Sequence, residues 1–125
     1  PLLVSFIVDK EGHLLSGENV ETVINHIDNK TSGFIEGYSL NCCSPYAFER
    51  VVKTFTNNRS ISRLTGFYPN SYDADPSTYE SESELFEPRK KSSLNIVLDA
   101  GRTYNLKFIG GCCGFGYHDI KFLAD

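Results

Sequence analysis

The hydrophobic positions of this chain alternate between short apolar runs and stretches with helical spacing. Residues 2–8 (LLVSFIV) are an almost unbroken apolar run, which is typical of a strand covered on both faces in a parallel sheet. After a turn-rich stretch, the apolar residues of 20–27 recur at i, i+3, i+4 and i+7, the spacing of an amphipathic helix. The first unit is therefore predicted to be a strand followed by a helix, with Ser16 or Gly17 near the helix start.

The second unit repeats this order. Residues 34–41 (FIEGYSLN) are predicted to form a strand that ends at Cys42. Ser44 can cap a helix and Pro45 suits the first helical position. Residues 48–55 again place apolar side chains at i, i+3, i+4 and i+7, which predicts a second amphipathic helix.

The third unit contains a long insertion. Residues 64–69 (LTGFYP) predict a short strand, and the polar, acidic stretch 71–91 that follows predicts a long loop. Residues 94–98 then indicate a short helix, which Gly101 is expected to end, because glycine readily adopts the left-handed conformation found there.

The fourth unit completes an α/β pattern. A strand over 106–109 and a helix over 120–124 make it the fourth strand–helix pair in 125 residues, or about 31 residues for each pair. Such alternation predicts a parallel sheet with helical crossovers in a single domain. A closed (β/α)8 barrel needs about 250 residues, so this chain is too short to form one alone.

Charge and composition exclude some classes of function. The chain has 12 basic and 16 acidic residues and a net charge of −4, which disfavours nucleic-acid binding. No apolar run approaches the ~20 residues of a membrane span. The first residues lack the basic flank and long apolar core of a secretory signal, so a cytoplasmic location is expected.

The four cysteines form two adjacent pairs, Cys42–Cys43 and Cys112–Cys113. In a small secreted protein they would suggest two disulfides, with three possible connectivities. In a cytosolic protein we expect reduced thiols, and clustered thiols there more often bind metal or do chemistry.

Three of these thiols are predicted to meet. Cys42 follows the second strand, and Cys112 and Cys113 follow the fourth; the carboxyl ends of parallel strands lie on one face. Three thiolates with an open fourth position are the pattern of a catalytic zinc site. The neighbouring glycines would permit the unusual backbone needed for two adjacent ligands; they are Gly110, Gly111 and Gly114.

Other interpretations of the cysteines stay open on pattern alone. A cysteine is often only a small buried hydrophobe, and strand alternation turns Cys43 away from Cys42, which favours a structural role for Cys43. The vicinal pair could instead serve thiol redox chemistry. The segment 111–116 (GCCGFG) is superficially similar to a phosphate loop but lacks the required spacing and lysine.

Several segments resemble the homocysteine S-methyltransferase family. Residues 41–45 (NCCSP) resemble its G-[IV]-N-C-x-x-P segment, residues 68–71 (YPNS) its YPNSG segment, and residues 109–114 (IGGCCG) its GGCC motif. Residues 5–6 (SF) and 14–18 (LLSGE) resemble the fifth strand of the family's barrel and the loop after it. The resemblance covers the whole chain and corresponds to the C-terminal half of a (β/α)8 TIM barrel, strands five to eight.

The resemblance implies a zinc enzyme whose metal ligands are Cys42, Cys112 and Cys113. The fourth position on the zinc would take the sulfur of homocysteine, which would receive a methyl group to give methionine. Family members use S-adenosylmethionine, S-methylmethionine or betaine as methyl donor. The NCCSP and YPNS segments favour a sulfonium donor, that is, one of the first two.

The resemblance also implies substrate contacts and a missing part. Asn41, Tyr68 and Asn70 lie in the matching segments and are predicted to contact substrate. The acidic groups that hold the substrate's amino group belong to the N-terminal half of the family's barrel. We therefore expect the isolated chain to self-associate or to need such a half. The alternative is a catalytically silent half-barrel that at most binds zinc.

Overall fold

The computed structural model describes residues 2–71, 73, 75 and 91–125. Most of the stretch 71–91, predicted to be a long loop, lies outside the described residues. The described elements, in chain order, are β1 (Leu2–Phe6), α1 (Val20–Thr31), β2 (Ile35–Asn41), α2 (Pro45–Thr54), α3 (Asn58–Ile61), β3 (Leu64–Tyr68), α4 (Lys91–Thr103), β4 (Phe108–Ile109) and α5 (Tyr117–Ala124). None of these helices is long and apolar enough to cross a membrane.

The four strands form one parallel sheet in the order β1-β2-β3-β4. Each strand pairs with its neighbour in sequence, as expected when a helix returns the chain to the same end of the sheet. This confirms the α/β prediction of parallel strands in four strand–helix units. Within the described residues the sheet is open, with β1 and β4 at its edges.

The helix boundaries follow their capping residues. Ser44 caps α2 by accepting a hydrogen bond from the Ala47 amide (3.0 Å), and Pro45 is the first residue of the helix, as predicted. The cap of α1 is Asn19, whose side chain accepts from the Glu21 amide at 2.8 Å. The helix α1 therefore starts a few residues later than the sequence predicts, with Asn19 as its cap in place of Ser16 or Gly17.

Gly101 does not end α4, contrary to prediction, because the helix continues to Thr103. The glycine has a packing role instead. A Cβ at Gly101 would collide with the side chain of Ile109 on β4. The missing side chain therefore lets the last strand pack directly against the helix.

The hydrophobic core fills one face of the sheet. Tyr38, Leu40 and Phe67 of the strands are fully buried with residues of α1, α2 and α4, and the rings of Phe48 and Phe67 lie 4.4 Å apart. Burial of such side chains from water is the main force that holds helices onto a sheet.

The opposite face of the sheet is uncovered within the described residues. Leu3 on β1 is 49% exposed and Phe108 on β4 is 45% exposed. Phe108 lies on the same face as Ser39, because a Cβ placed at Gly66 would contact the Cβ atoms of both residues. The prediction that the first strand is buried on both faces is therefore wrong for this chain: its helix-facing side alone packs into the core.

A polar clamp joins α1 to the amino ends of β2 and β3. The Arg63 guanidinium donates to both carboxylate oxygens of Asp28 (2.8 and 3.0 Å) and to the Ile35 carbonyl (2.6 Å). The Tyr38 hydroxyl also donates to Asp28, at 2.8 Å. Hydrogen bonds from Arg63 hold the pKa of Asp28 below its ordinary value despite burial, and burial raises the pKa of Tyr38 to about 12.

Replacing Asp28 with asparagine is expected to destabilise the fold at neutral pH by roughly 2 kcal/mol, the scale of hydrogen bonds to a charged group. Because folding lowers the pKa of Asp28, its contribution is complete above the ordinary aspartate value of about 3.9. It is lost as pH falls through the lower folded value. Urea unfolding of wild type and Asp28→Asn at pH 7 and pH 3 measures both effects. The difference in the free energy of unfolding between the two proteins should shrink in acid.

The control is Asp99→Asn, at an exposed position on α4. An equal loss of stability in Asp99→Asn would show that the clamp is not the cause.

A cysteine cluster at the carboxyl ends of the strands

Three cysteines meet at one edge of the sheet. Cys42 directly follows β2, and Cys112 and Cys113 lie in the loop after β4. Since both strands are parallel to β3 between them, their carboxyl ends lie at the same edge. The three Sγ atoms are all within 4.8 Å of one another.

Two of the three cysteines are especially close. The sulfurs of Cys42 and Cys112, 70 residues apart in sequence, lie at disulfide distance, with their Cα atoms 5.5 Å apart. The expectation that the thiols are reduced stays a prediction. A metal ion could use these two residues only after reduction, because the thiolate is the form that binds metal.

The donor set suits a soft metal ion with an open position. In a tetrahedral zinc site with Zn–S bonds of about 2.3 Å, neighbouring sulfurs lie about 3.8 Å apart. The Sγ atoms of Cys112 and Cys113 are separated by 3.9 Å. Three sulfur ligands would leave a fourth position of a tetrahedral zinc ion for an incoming ligand, as in catalytic rather than structural zinc sites.

Cys43 lies apart from this cluster. Its side chain is 1% exposed within the hydrophobic core, and burial raises the pKa of the thiol to about 12. It is therefore a neutral thiol at physiological pH. Its place in the core agrees with the structural role that strand alternation predicts.

The segment 68–71 ties the two cysteine-bearing loops together through the main chain. Two of its carbonyls accept from cysteine amides, and two of its amides donate to cysteine carbonyls. The four bonds are Cys42 N–H to Tyr68 O (3.0 Å), Cys112 N–H to Pro69 O (2.8 Å), Asn70 N–H to Cys43 O (3.0 Å) and Ser71 N–H to Cys113 O (3.1 Å). This segment lies between the loops just as β3 lies between β2 and β4.

The backbone at the cluster is unusual at two places. Cys42 has a left-handed φ of 49°, which is uncommon for a residue with a side chain, and Gly114 has a φ of 76°. Gly110 was expected to supply backbone flexibility, but the structure gives a steric reason for the glycine. A Cβ there would lie 2.7 Å from the Tyr68 ring, so glycine allows the loop to approach that ring closely.

The structure places the three predicted substrate residues beside the cluster. Asn41 and Tyr68 pair across β2 and β3, and both are half-buried. The Asn41 side chain accepts from the Ser5 hydroxyl at 2.6 Å. Asn70 is fully buried, and its amide Nδ2 donates to the Cys42 carbonyl at 3.3 Å. Substrate contact by these residues stays a prediction.

Sequence reasoning missed a polar contact between the loops of this face. Asp73 accepts from the Ser44 hydroxyl at 2.5 Å and from Arg50 at 3.4 Å. Arg50 also donates to the Lys10 carbonyl, and the Lys10 amide donates to Asp75 at 3.0 Å. These bonds connect the loops after β1 and β3 to the start of α2. The sequence gives no sign of this contact, because Asp73 is one of many polar and acidic residues in the stretch 71–91.

Comparison with known proteins gives one family. A family model described as Homocysteine S-methyltransferase matches residues 1–125, the whole chain. No curated protein and no solved structure gives a significant match.

We expect the reduced protein to bind one zinc ion per chain and the Cys112→Ser variant to lose it. Serine cannot supply the soft thiolate that zinc prefers. Metal analysis after reduction, removal of reductant and gel filtration gives the stoichiometry. Cys43→Ala is the matched control, since it removes a buried thiol outside the cluster and should retain zinc. Full zinc content in Cys112→Ser would exclude the proposed ligand set.

Proposed function

Because the chain belongs to the homocysteine S-methyltransferase family, as its full-length family match shows, we propose that it supplies the zinc-binding part of such an enzyme. The observation that carries this proposal is the convergence of Cys42, Cys112 and Cys113 within 4.8 Å at the carboxyl edge of the sheet. The reaction transfers a methyl group from a sulfonium donor, such as S-adenosylmethionine or S-methylmethionine, to homocysteine, and the product is methionine.

The three cysteines fit this chemistry. Bound zinc would supply a Lewis acid that lowers the pKa of the homocysteine thiol, so that its thiolate forms at neutral pH. Three thiolate side chains around a divalent zinc ion would leave the site with a net negative charge before substrate binds. That charge favours a methyl donor with a positive centre. Transfer of the methyl group from that centre to the thiolate neutralises both partners and leaves a neutral thioether of the donor.

The uncovered face of the sheet is where substrate would lie. Ser5, Asn41 and Tyr68 present polar groups there next to the cysteines. The strand ends offer hydroxyl and amide groups here, and the nearby loop carboxylates of Asp73 and Asp75 are bonded to Ser44, Arg50 and the Lys10 amide. As the family resemblance implies, the carboxylates that would bind the substrate's amino group belong to the N-terminal half of the barrel.

We infer that residues 1–125 correspond to the C-terminal half of a (β/α)8 barrel. The supporting features are the parallel order of the four strands and the exposed apolar side chains Leu3 and Phe108 on one face. Open strand edges invite further pairing, so the proposal includes either an N-terminal half or a second copy as partner. The reducing cytoplasm is the compartment in which the thiols would be available.

Methyl transfer from S-adenosylmethionine or S-methylmethionine to homocysteine is expected when this chain is mixed with an N-terminal half of the family's barrel. The chain alone should give little product, since the groups that hold the amino acid are incomplete. Methionine formation measured with each sulfonium donor and with betaine identifies the donor. A mixture that binds zinc but forms no methionine with any donor would favour the alternative, a silent half-barrel.

The isolated chain is expected to self-associate through its open edges and uncovered face. Sedimentation velocity over a range of protein concentrations should show species larger than the 14.0 kDa monomer. Leu3→Lys and Phe108→Lys should weaken association, because charged side chains on a strand edge oppose pairing. A monodisperse monomer with one cooperative thermal transition would contradict this expectation.

A further inference from the structure

The conformation of Cys42 needs support from its surroundings. Its left-handed φ of 49° is unfavourable for a residue with a side chain. Such a conformation persists only where neighbouring contacts hold it. The Cys42 amide donates a hydrogen bond to the Tyr68 carbonyl at 3.0 Å. This bond holds the peptide group that precedes Cys42.

The peptide group that follows Cys42 is held by Asn70. The Asn70 side chain is 0% exposed, and its Nδ2 donates to the Cys42 carbonyl at 3.3 Å. The Asn70 amide donates in addition to the Cys43 carbonyl at 3.0 Å. One residue of the loop after β3 therefore holds two successive carbonyls of the loop after β2.

We propose that Asn70 is a positioning residue of the metal site. Its buried amide sets the orientation of the peptide that follows Cys42, and so holds the Cys42 sulfur near those of Cys112 and Cys113. This inference rests on the proposed function, and it gives Asn70 a part distinct from substrate contact. Asn41 and Tyr68 are half-buried on the strand ends, whereas the Asn70 side chain is fully buried.

The first test is zinc affinity in the reduced protein. We expect Asn70→Ala and Asn70→Asp, which both remove the amide donor, to lower zinc affinity tenfold to a hundredfold, roughly the effect of losing an outer partner of a metal ligand. Competition with a chromophoric chelator measures the affinity, and circular dichroism measures the folded fraction. Asp99→Asn, at an exposed position on α4, should leave zinc affinity within about twofold. Asp28→Asn changes the clamp at the amino ends of the strands, far from the cysteines. The folded fraction of this variant should bind zinc with an affinity close to that of wild type.

A second measurement tests the geometry without metal. In glutathione buffers, the fraction of Cys42–Cys112 disulfide reports how well the two thiols are held together. Both Asn70 variants should need a buffer about tenfold more oxidising than wild type for the same fraction, whereas Asp99→Asn and Asp28→Asn should not.

The outcomes separate the two proposals. If wild type binds zinc and the Asn70 variants bind it equally well, the positioning role is wrong. If wild type binds no zinc, the proposed function fails, and the disulfide measurement still decides the role of Asn70. An unchanged disulfide equilibrium in both Asn70 variants would overturn it in that case.

Discussion

Parallel pairing of β2, β3 and β4 is the constraint on which the candidate site depends. Cys42 and Cys112 are 70 residues apart in sequence, yet each follows a strand that pairs with β3. With all three strands pointing the same way, their ends and the loops that leave them are collected at one edge. The register of β3 against both neighbours then sets how far apart the sulfur atoms lie.

The same sheet is asymmetric across its two faces. One face carries the core, where Tyr38, Leu40 and Phe67 are fully buried against the helices. The other face combines polar groups near the cysteines with exposed apolar side chains such as Leu3 and Phe108. Parallel sheets are normally covered on both faces. The stability of the described part therefore comes from one side of the sheet, and the other side leaves its polar and apolar side chains accessible.

The strand–helix order and the meeting of the cysteines could be predicted from sequence because both follow from short-range patterns. Apolar spacing indicates the helices, and Ser44 with Pro45 marks the start of α2. Parallel topology then brings the strand ends together. The remaining features depend on contacts between distant residues. Gly101 is read locally as a helix end, but its role is set by Ile109. Asn70 is read as part of a motif, but its burial against Cys42 depends on the packing of two loops.

The Cys42–Cys112 pair illustrates a further limit of sequence reasoning. Spacing can indicate that thiols converge, but the same proximity suits a disulfide and a metal ion. Which of the two forms depends on the redox state around the protein and on the available metal. The compartment inferred for the chain therefore bears directly on the chemistry of the cluster.

The four bonds between segment 68–71 and the cysteine residues all use main-chain atoms. Main-chain donors and acceptors are present whatever side chain a residue carries, proline's missing amide excepted. Most substitutions in these loops would leave the four bonds available. An inserted or deleted residue would shift the donors and acceptors out of alignment. The spacing of the loops is therefore under tighter physical constraint than most of their side chains, and divergent chains could keep the cysteine geometry as long as their loop lengths match.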